Sequence, residues 1–289
     1  MTTVFQQRRE QLGIALDQLA SLAGIEPSRL LAIEAGEAPF LDEQMALARA
    51  LGDEPSSFAR GAAAQPETRS AVRFRSAGQL HALSSMDLRL LARAAEIGRT
   101  CASLFEFIRR GPAPLVDHRE VKSLPRMDPP WKQGYDLGAS ARERLSPARQ
   151  PLLSVQAFLE SKGVHVAFVP FESKQVEAAS LYEDRACPVV LLNADSSRVR
   201  NRLSRRAILA HELCHLLHDG GKRDLLTIVS REDEQGEAVE QRANGFAPSF
   251  LAPAGWSKLK ATDPVEIALE LGETWGLSFG GAVWHAKNL

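Results

Sequence analysis

The sequence has few cysteines and tyrosines and little net charge, and none of its apolar runs approaches the roughly 18–20 residues that a membrane-spanning helix needs. Each shortage excludes something. Three cysteines, Cys101, Cys187 and Cys214, are an odd number at scattered spacing, which argues against a disulfide framework and suits a reducing, cytoplasmic setting. Thirty-five Lys and Arg against 36 Asp and Glu give a net charge of -1, so nothing pulls the whole chain toward nucleic acid or a membrane surface, and any such binding must come from local patches. The start, MTTVFQQRREQLG, turns charged within ten residues, so neither a signal peptide nor a membrane span is expected. No internal repeat or low-complexity tract is present. What is there is ample apolar material: 44% of 289 residues are hydrophobic, enough for two packed domains.

Residues 3 to 60 read as short helices. Val4, Leu12, Leu16, Leu19, Ala20, Ala23, Leu30, Leu31 and Ile33 recur at helix spacing, punctuated by Gly24, Gly36 and Gly52. Within them, LDQLASLAGIEPSRLLAIEAG has the layout of a helix-turn-helix, with Asp17 as N-cap, Gly24 in the turn and Pro27 in the first turn of the second helix, which would carry Ser28 and Arg29 outward. The stretch GAAAQPETR, 61 to 69, lacks periodicity and reads as linker. One long amphipathic helix is expected over 86–110, then a Pro-rich passage that wanders over a surface through Gly134. Beyond about 137 the order reads helix to 162, strands at 164–170, 179–183 and 188–193, helices at 197–218 and 234–251, and two short helices near 264–275 and 278–287. A small sheet backed by helices is an α+β arrangement.

The chemistry gathers in AHELCHLLHD. His211 and His215 are four apart, so on a helix they project from one face and can share a metal ion, with Glu212 beside the first and Leu209, Leu213, Leu216 and Leu217 mostly on the other side. Such a pattern also arises by chance, and a third ligand decides the matter. The choices are His218, Asp219 and the acidic cluster from Glu232 to Glu240. His218 is carried about 4.5 Å up the helix axis, away from the ion. Glu240 lies on an inward stripe with Ala243, Phe246, Ala247 and Phe250, where a carboxylate is costly unless paired or bound to metal; the plain alternative is a solvated acid at a helix start.

Two resemblances rest on these residues. Leu19-Ala20, Gly24 and Glu34-Ala35-Gly36 resemble the Xre/Cro-type helix-turn-helix pattern. AILAHELCHLLHD followed by EQRANGFAPSFLAP, with CPVVLLN upstream, resembles the ImmA/IrrE family of regulatory zinc metallopeptidases. Cys214 stands where that family usually has Gly. The resemblance implies an N-terminal all-α helix-turn-helix bundle over 1–60, a linker over 61–85, and a zincin-like domain over 86–289 with a small helical C-terminal segment from about 262. It implies Zn2+ held by His211, His215 and Glu240, and Glu212 as general base. It also implies an endopeptidase that cleaves a protein partner, a helix-turn-helix transcriptional repressor, after stress, DNA damage or phage infection. The rival reading is a DNA-binding transcription regulator whose zinc-bearing domain only senses.

Further residues invite roles around that centre. His218 or Tyr182 could stabilise an oxyanion, and the strand at 188–193, taken as an edge, could align an extended substrate. Arg198, Arg200, Arg202, Arg205 and Arg206 form either a solvated helix face or a phosphate-binding surface through which single-stranded DNA acts as activator. Cys187 and Cys101 are either small buried side chains or a switch that blocks the resting zinc site. Gln18, Ser28 and Arg29 sit where Xre-like domains contact DNA, but with one Arg on the second helix the module could equally form a homodimer or dock a repressor.

Overall fold

The computed structural model describes residues 3–11, 14–51, 73–74, 83–108, 129–146, 148–183, 186–219, 226–231, 238–256 and 263–288. Gly52, the proposed linker at 61–69, the boundary at 60, most of the Pro-rich passage and Gly220-Gly221 lie outside the described residues, as does the acidic run 232–237. The helices are α1 Val4–Gln11, α2 Leu16–Ala23, α3 Pro27–Glu34, α4 Leu41–Ala50, α5 Ser85–Ile108, α6 Pro130–Leu145, α7 Val155–Ser161, α8 Ser197–Arg200, α9 Arg202–His218, α10 Ala238–Leu251, α11 Pro264–Trp275 and α12 Phe279–Asn288. The strands are β1 Arg73–Phe74, β2 His165–Val169, β3 Val176–Tyr182, β4 Val189–Asn193 and β5 Leu226–Arg231. This is an α+β fold.

The strands form one sheet in the order β1-β5-β3-β4-β2, with β3 antiparallel to both neighbours and β2 parallel to β4. Every residue of β3 and β4 is buried, so both faces of the sheet are covered, and their sequences do not alternate for that reason. One face packs on α7, α9 and α10 through a core that includes Ala178, Val190, Leu192, Leu213 and Phe246. The other face packs on α5, and through Leu91, Ala94, Val189 and Leu191 that core runs on into the N-terminal helices at Leu19, Leu30 and Leu47. Asp87 fixes α5 to the sheet: it is wholly buried at the helix start, and its carboxylate accepts the N–H groups of Glu172 at 2.8 Å and Ser173 at 3.2 Å.

Several expectations need correction. Asp17 is not the N-cap of α2; Ala15 is, and the Gln18 side chain accepts the Ala15 N–H at 3.2 Å. Gly24 does make the turn, in the left-handed conformation at φ 66°. The helix expected up to 162 is two, α6 and α7, because Ser146 and Pro151 interrupt it, and α6 begins at Pro130, inside the passage read as irregular. The helix expected over 197–218 breaks at Asn201, whose side chain caps α9 by accepting the N–H groups of Leu203 and Ser204 at 3.0 Å. LTIVSR, between the helices expected at 197–218 and 234–251, is β5. The strand at 188–193 is not an edge: β4 is paired with β3 on one side and β2 on the other, so it cannot accept a substrate strand.

α6 and α10 cross with their backbones in contact. A Cβ added at Gly134 would lie 1.9 Å from the Arg242 carbonyl oxygen, one at Gly138 2.5 Å from that of Phe246, and one at Gly245 2.1 Å from that of Trp131. We expect Gly134→Ala to lower the unfolding free energy by at least ~1–3 kcal/mol, the usual cost of overpacking. Gly280→Ala, where the added carbon meets nothing within 4 Å, should unfold at or above the wild-type urea midpoint.

Candidate metal centre

α9 is buried on every side from Ile208 to Leu217, which holds its side chains in fixed rotamers between the sheet and α10. His211 and His215 leave it on one face, and Glu240 meets them from the first turn of α10. The His211 and His215 Nε2 atoms are 3.0 Å apart. Glu240 places Oε2 3.0 Å from His211 Nε2 and Oε1 3.3 Å from His215 Nε2. A tetrahedral ion with bonds of about 2.0–2.1 Å needs its ligand atoms roughly 3.3 Å apart, so two nitrogens and a carboxylate oxygen converge at the spacing one metal ion requires. These three residues form the group, among the described residues, whose ligand atoms all fall within 4.8 Å of one another.

Supporting contacts aim the ligands. The His211 Nδ1–H donates to Asn244 Oδ1 at 3.1 Å, and the His215 Nδ1–H donates to Asp219 Oδ2 at 2.8 Å, which turns both Nε2 atoms toward the centre. Asp219 is in turn paired with Arg242 of α10. Glu212, wholly buried, accepts the hydroxyl of Ser180 from β3. Asn244, Arg242, Ser180 and the supporting role of Asp219 were missed in the sequence. Two of them carried a signal, since Asp219 follows His215 and Asn244 follows Glu240 by four residues, one helical turn.

The charges explain why this cluster wants a cation. Burial alone would depress His215, but hydrogen bonds and charge from Asp219 and Glu240 outweigh it and raise the metal-free imidazole to about 10. Burial likewise opposes the Glu240 carboxylate, yet His211 and His215 hold it far below the usual carboxylate range. A proton on His215 is thus the metal-free substitute for an ion. Cys214, behind the ligand face, is fully buried, and burial pushes its thiol well up.

Most other expected site residues lie outside the ligand group. His218 packs edge-on against Phe246, with burial pushing it down to about 4, and it does not join the ligand group. Tyr182 lies two residues beyond Ser180 on the same strand and in the core beneath α9. Cys187 and Cys101 are not at the centre: the Cys187 N–H donates to the Gly98 carbonyl of α5 at 3.0 Å, on the opposite face of the sheet, so neither thiol can block the metal site. The arginine run is not a free cationic surface either. Arg198 pairs with Glu177 at 2.7 Å, Arg200 with Asp195 at 2.7 Å, and Arg205 donates to the Val199 carbonyl and covers the Phe168 ring. Arg206 is buried among the carbonyls of Leu152, Leu153, Trp275 and Gly276, while Arg202 is exposed at the start of α9. In α3, Ser28 is exposed, but Arg29 is held by Glu37 at 2.6 Å and Glu43 at 2.9 Å.

Residues 159–283 match the family model of the IrrE N-terminal-like domain, Peptidase_M78. The matched span contains α9, α10 and the three central strands, and it supports a metallopeptidase-type function; α1 to α6 lie outside it. No curated protein and no solved structure matches the chain. No helix among the described residues is long and apolar enough to cross a membrane.

Because the raised pKa keeps His215 protonated in the metal-free protein, metal binding near pH 7 must expel that proton. Calorimetry in buffers of different ionisation enthalpy should show release of about one proton, fading as pH rises through about 10. Asp219→Ala should weaken metal affinity about 10–100-fold in a competition titration.

Proposed function

We propose that this chain is a zinc-dependent regulatory endopeptidase that cuts one specific partner protein. The observation that carries the reading is the convergence of His211, His215 and Glu240, with Glu212 next to the first ligand in the chain and buried against Ser180 of β3. Three protein ligands that leave a coordination position open are the pattern of a catalytic rather than a structural zinc site, and imidazole with carboxylate suits zinc. When bound, the ion polarises the scissile carbonyl and makes water at the site a stronger acid. Glu212 takes the proton from the attacking water and delivers it to the leaving amine. Ser180 steadies that carboxylate from the strand side. Tyr182, on the same strand, is our choice for stabilising the developing oxyanion.

We divide the chain into an Xre-like helix-turn-helix module over 1–60, a linker over 61–85 that contributes β1 to the edge of the sheet, and a peptidase domain over 86–289. The left-handed turn at Gly24 between α2 and α3 supports the first of these. In our reading the module recognises protein: the Arg29 ion pairs and the Gln18 contact with Ala15 withdraw two of its three polar groups from DNA. The partner is a helix-turn-helix transcriptional repressor in the cytoplasm, cut after stress, DNA damage or phage infection; a homodimer is the other use of the same module.

The test incubates the zinc-loaded protein with candidate helix-turn-helix repressors, with and without single-stranded DNA. Glu212→Gln should retain zinc and lower the cleavage rate by about 10²–10⁴-fold, the range of general-base contributions. Equal cleavage by this variant would sink the mechanism. Bound zinc with no cleavage under either condition would favour the sensing regulator, which needs the ligands but not Glu212.

A further inference from the structure

Where α5 crosses the sheet, away from the metal centre, two of the three cysteines come together. Leu91, Ala94, Ala95, Gly98, Cys101 and Phe105 recur at the spacing of one helix face, and the first four are buried against the sheet. The segment Cys187-Pro188, which leads into β4, is tied to that stripe at two levels, once directly and once through His165. At one, the Cys187 N–H donates to the Gly98 carbonyl at 3.0 Å, and the approach is so close that a Cβ on Gly98 would lie 2.6 Å from the Cys187 oxygen. At the other, His165 donates its N–H to the Pro188 carbonyl at 2.8 Å while its ring stacks on Phe105, with centroids 6.4 Å apart and planes 10° from parallel. Cys101 occupies the helical turn between those two contacts.

We propose that Cys101 and Cys187 are an oxidisable pair that closes to an intramolecular disulfide joining α5 to the start of β4. A disulfide needs Cα atoms about 4.4–6.8 Å apart, the separation at which residues on a helix and a chain packed directly against it meet. The two thiols also sense each other: burial, and after it the neighbouring Cys101, push the Cys187 thiol up. Both are partly exposed and open to a small oxidant, whereas Cys214 is buried. With hydrogen peroxide as oxidant, one thiolate attacks the O–O bond, giving a sulfenic acid and, after protonation, one water. The second thiol then attacks that sulfur and releases a second water. Two thiols lose two hydrogens, and peroxide is reduced to two waters. In a reducing compartment such a bond is transient and redox-sensing rather than structural. It would fasten α5, on which α2 and α4 pack, to the sheet. This inference is independent of whether the chain cleaves anything.

The experiment treats the full-length zinc-loaded protein with stepwise hydrogen peroxide, counts free thiols and maps linked peptides by mass spectrometry. We expect free thiols to fall from three to one, with a Cys101–Cys187 link that dithiothreitol removes. Cys101→Ser and Cys187→Ser should each lose the intramolecular link, and Cys214→Ser should keep it. Linkage to Cys214, links only between chains, conversion of both thiols to sulfinic acids, or two unreacted thiols under peroxide would each overturn the proposal. The wild-type peptide map decides it even if a variant fails to fold.

Discussion

A carboxylate and two imidazoles brought together inside an apolar core need a positive charge among them. That requirement organises the domain around Glu240. An isolated buried carboxylate is strongly disfavoured, and here it faces His211 and His215 at 3.0 and 3.3 Å with Asp219 just beyond. Arg242 balances Asp219 from the outside, and a proton or a metal ion balances Glu240 from the inside. The ligand set therefore combines affinity for a cation with the charge balance of the core itself.

Such a centre works only if its parts are held to fractions of an ångström, and the fold supplies that stiffness by close approach. α9 has no solvated face over its ligand-bearing turns, so its side chains have little freedom. α10 is seated against α6 through Gly134, Gly138 and Gly245, where carbonyl oxygens occupy the space a side chain would need. β3 presents Ala178, Ala179 and Ser180, small residues that allow α5 on one face and α9 on the other to come near, and Ser180 turns that nearness into a contact with Glu212. Packing and chemistry thus meet on the same strand.

Local spacing made much of this visible in the sequence. Positions four apart on a helix share a face whatever the surroundings, so His211 and His215 were legible as a pair, and the apolar stripe after Glu240 pointed that residue inward. The same rule reaches Asp219 and Asn244. What spacing does not encode is pairing between distant strands. β4 was taken for an edge because nothing in VVLLN distinguishes an edge from an interior strand, and LTIVSR was not expected as a strand because its neighbour in the sheet, β3, is about 45–55 residues earlier. Arginines misled for a related reason: a run of cations looks solvated until the carbonyls that will receive them are folded into place. Asn201 and Ser146 likewise marked breaks in helices whose apolar periodicity continues across them.

Arg206 also bears on where this protein can be divided. It rises from the first turns of the metal-bearing helix into the interior, where Trp275 and Gly276 at the end of α11 supply two of its acceptors and Leu152 and Leu153 supply the others. A helix C-terminus presents negative dipole, which is what a buried guanidinium requires. By sequence the last helices look like an appendage to a finished domain. By electrostatics the carbonyl end of α11 solvates a charge that the metal-bearing helix buries. The shortest fragment able to keep α9 in position therefore includes those helices, and modularity along the chain is not modularity in charge.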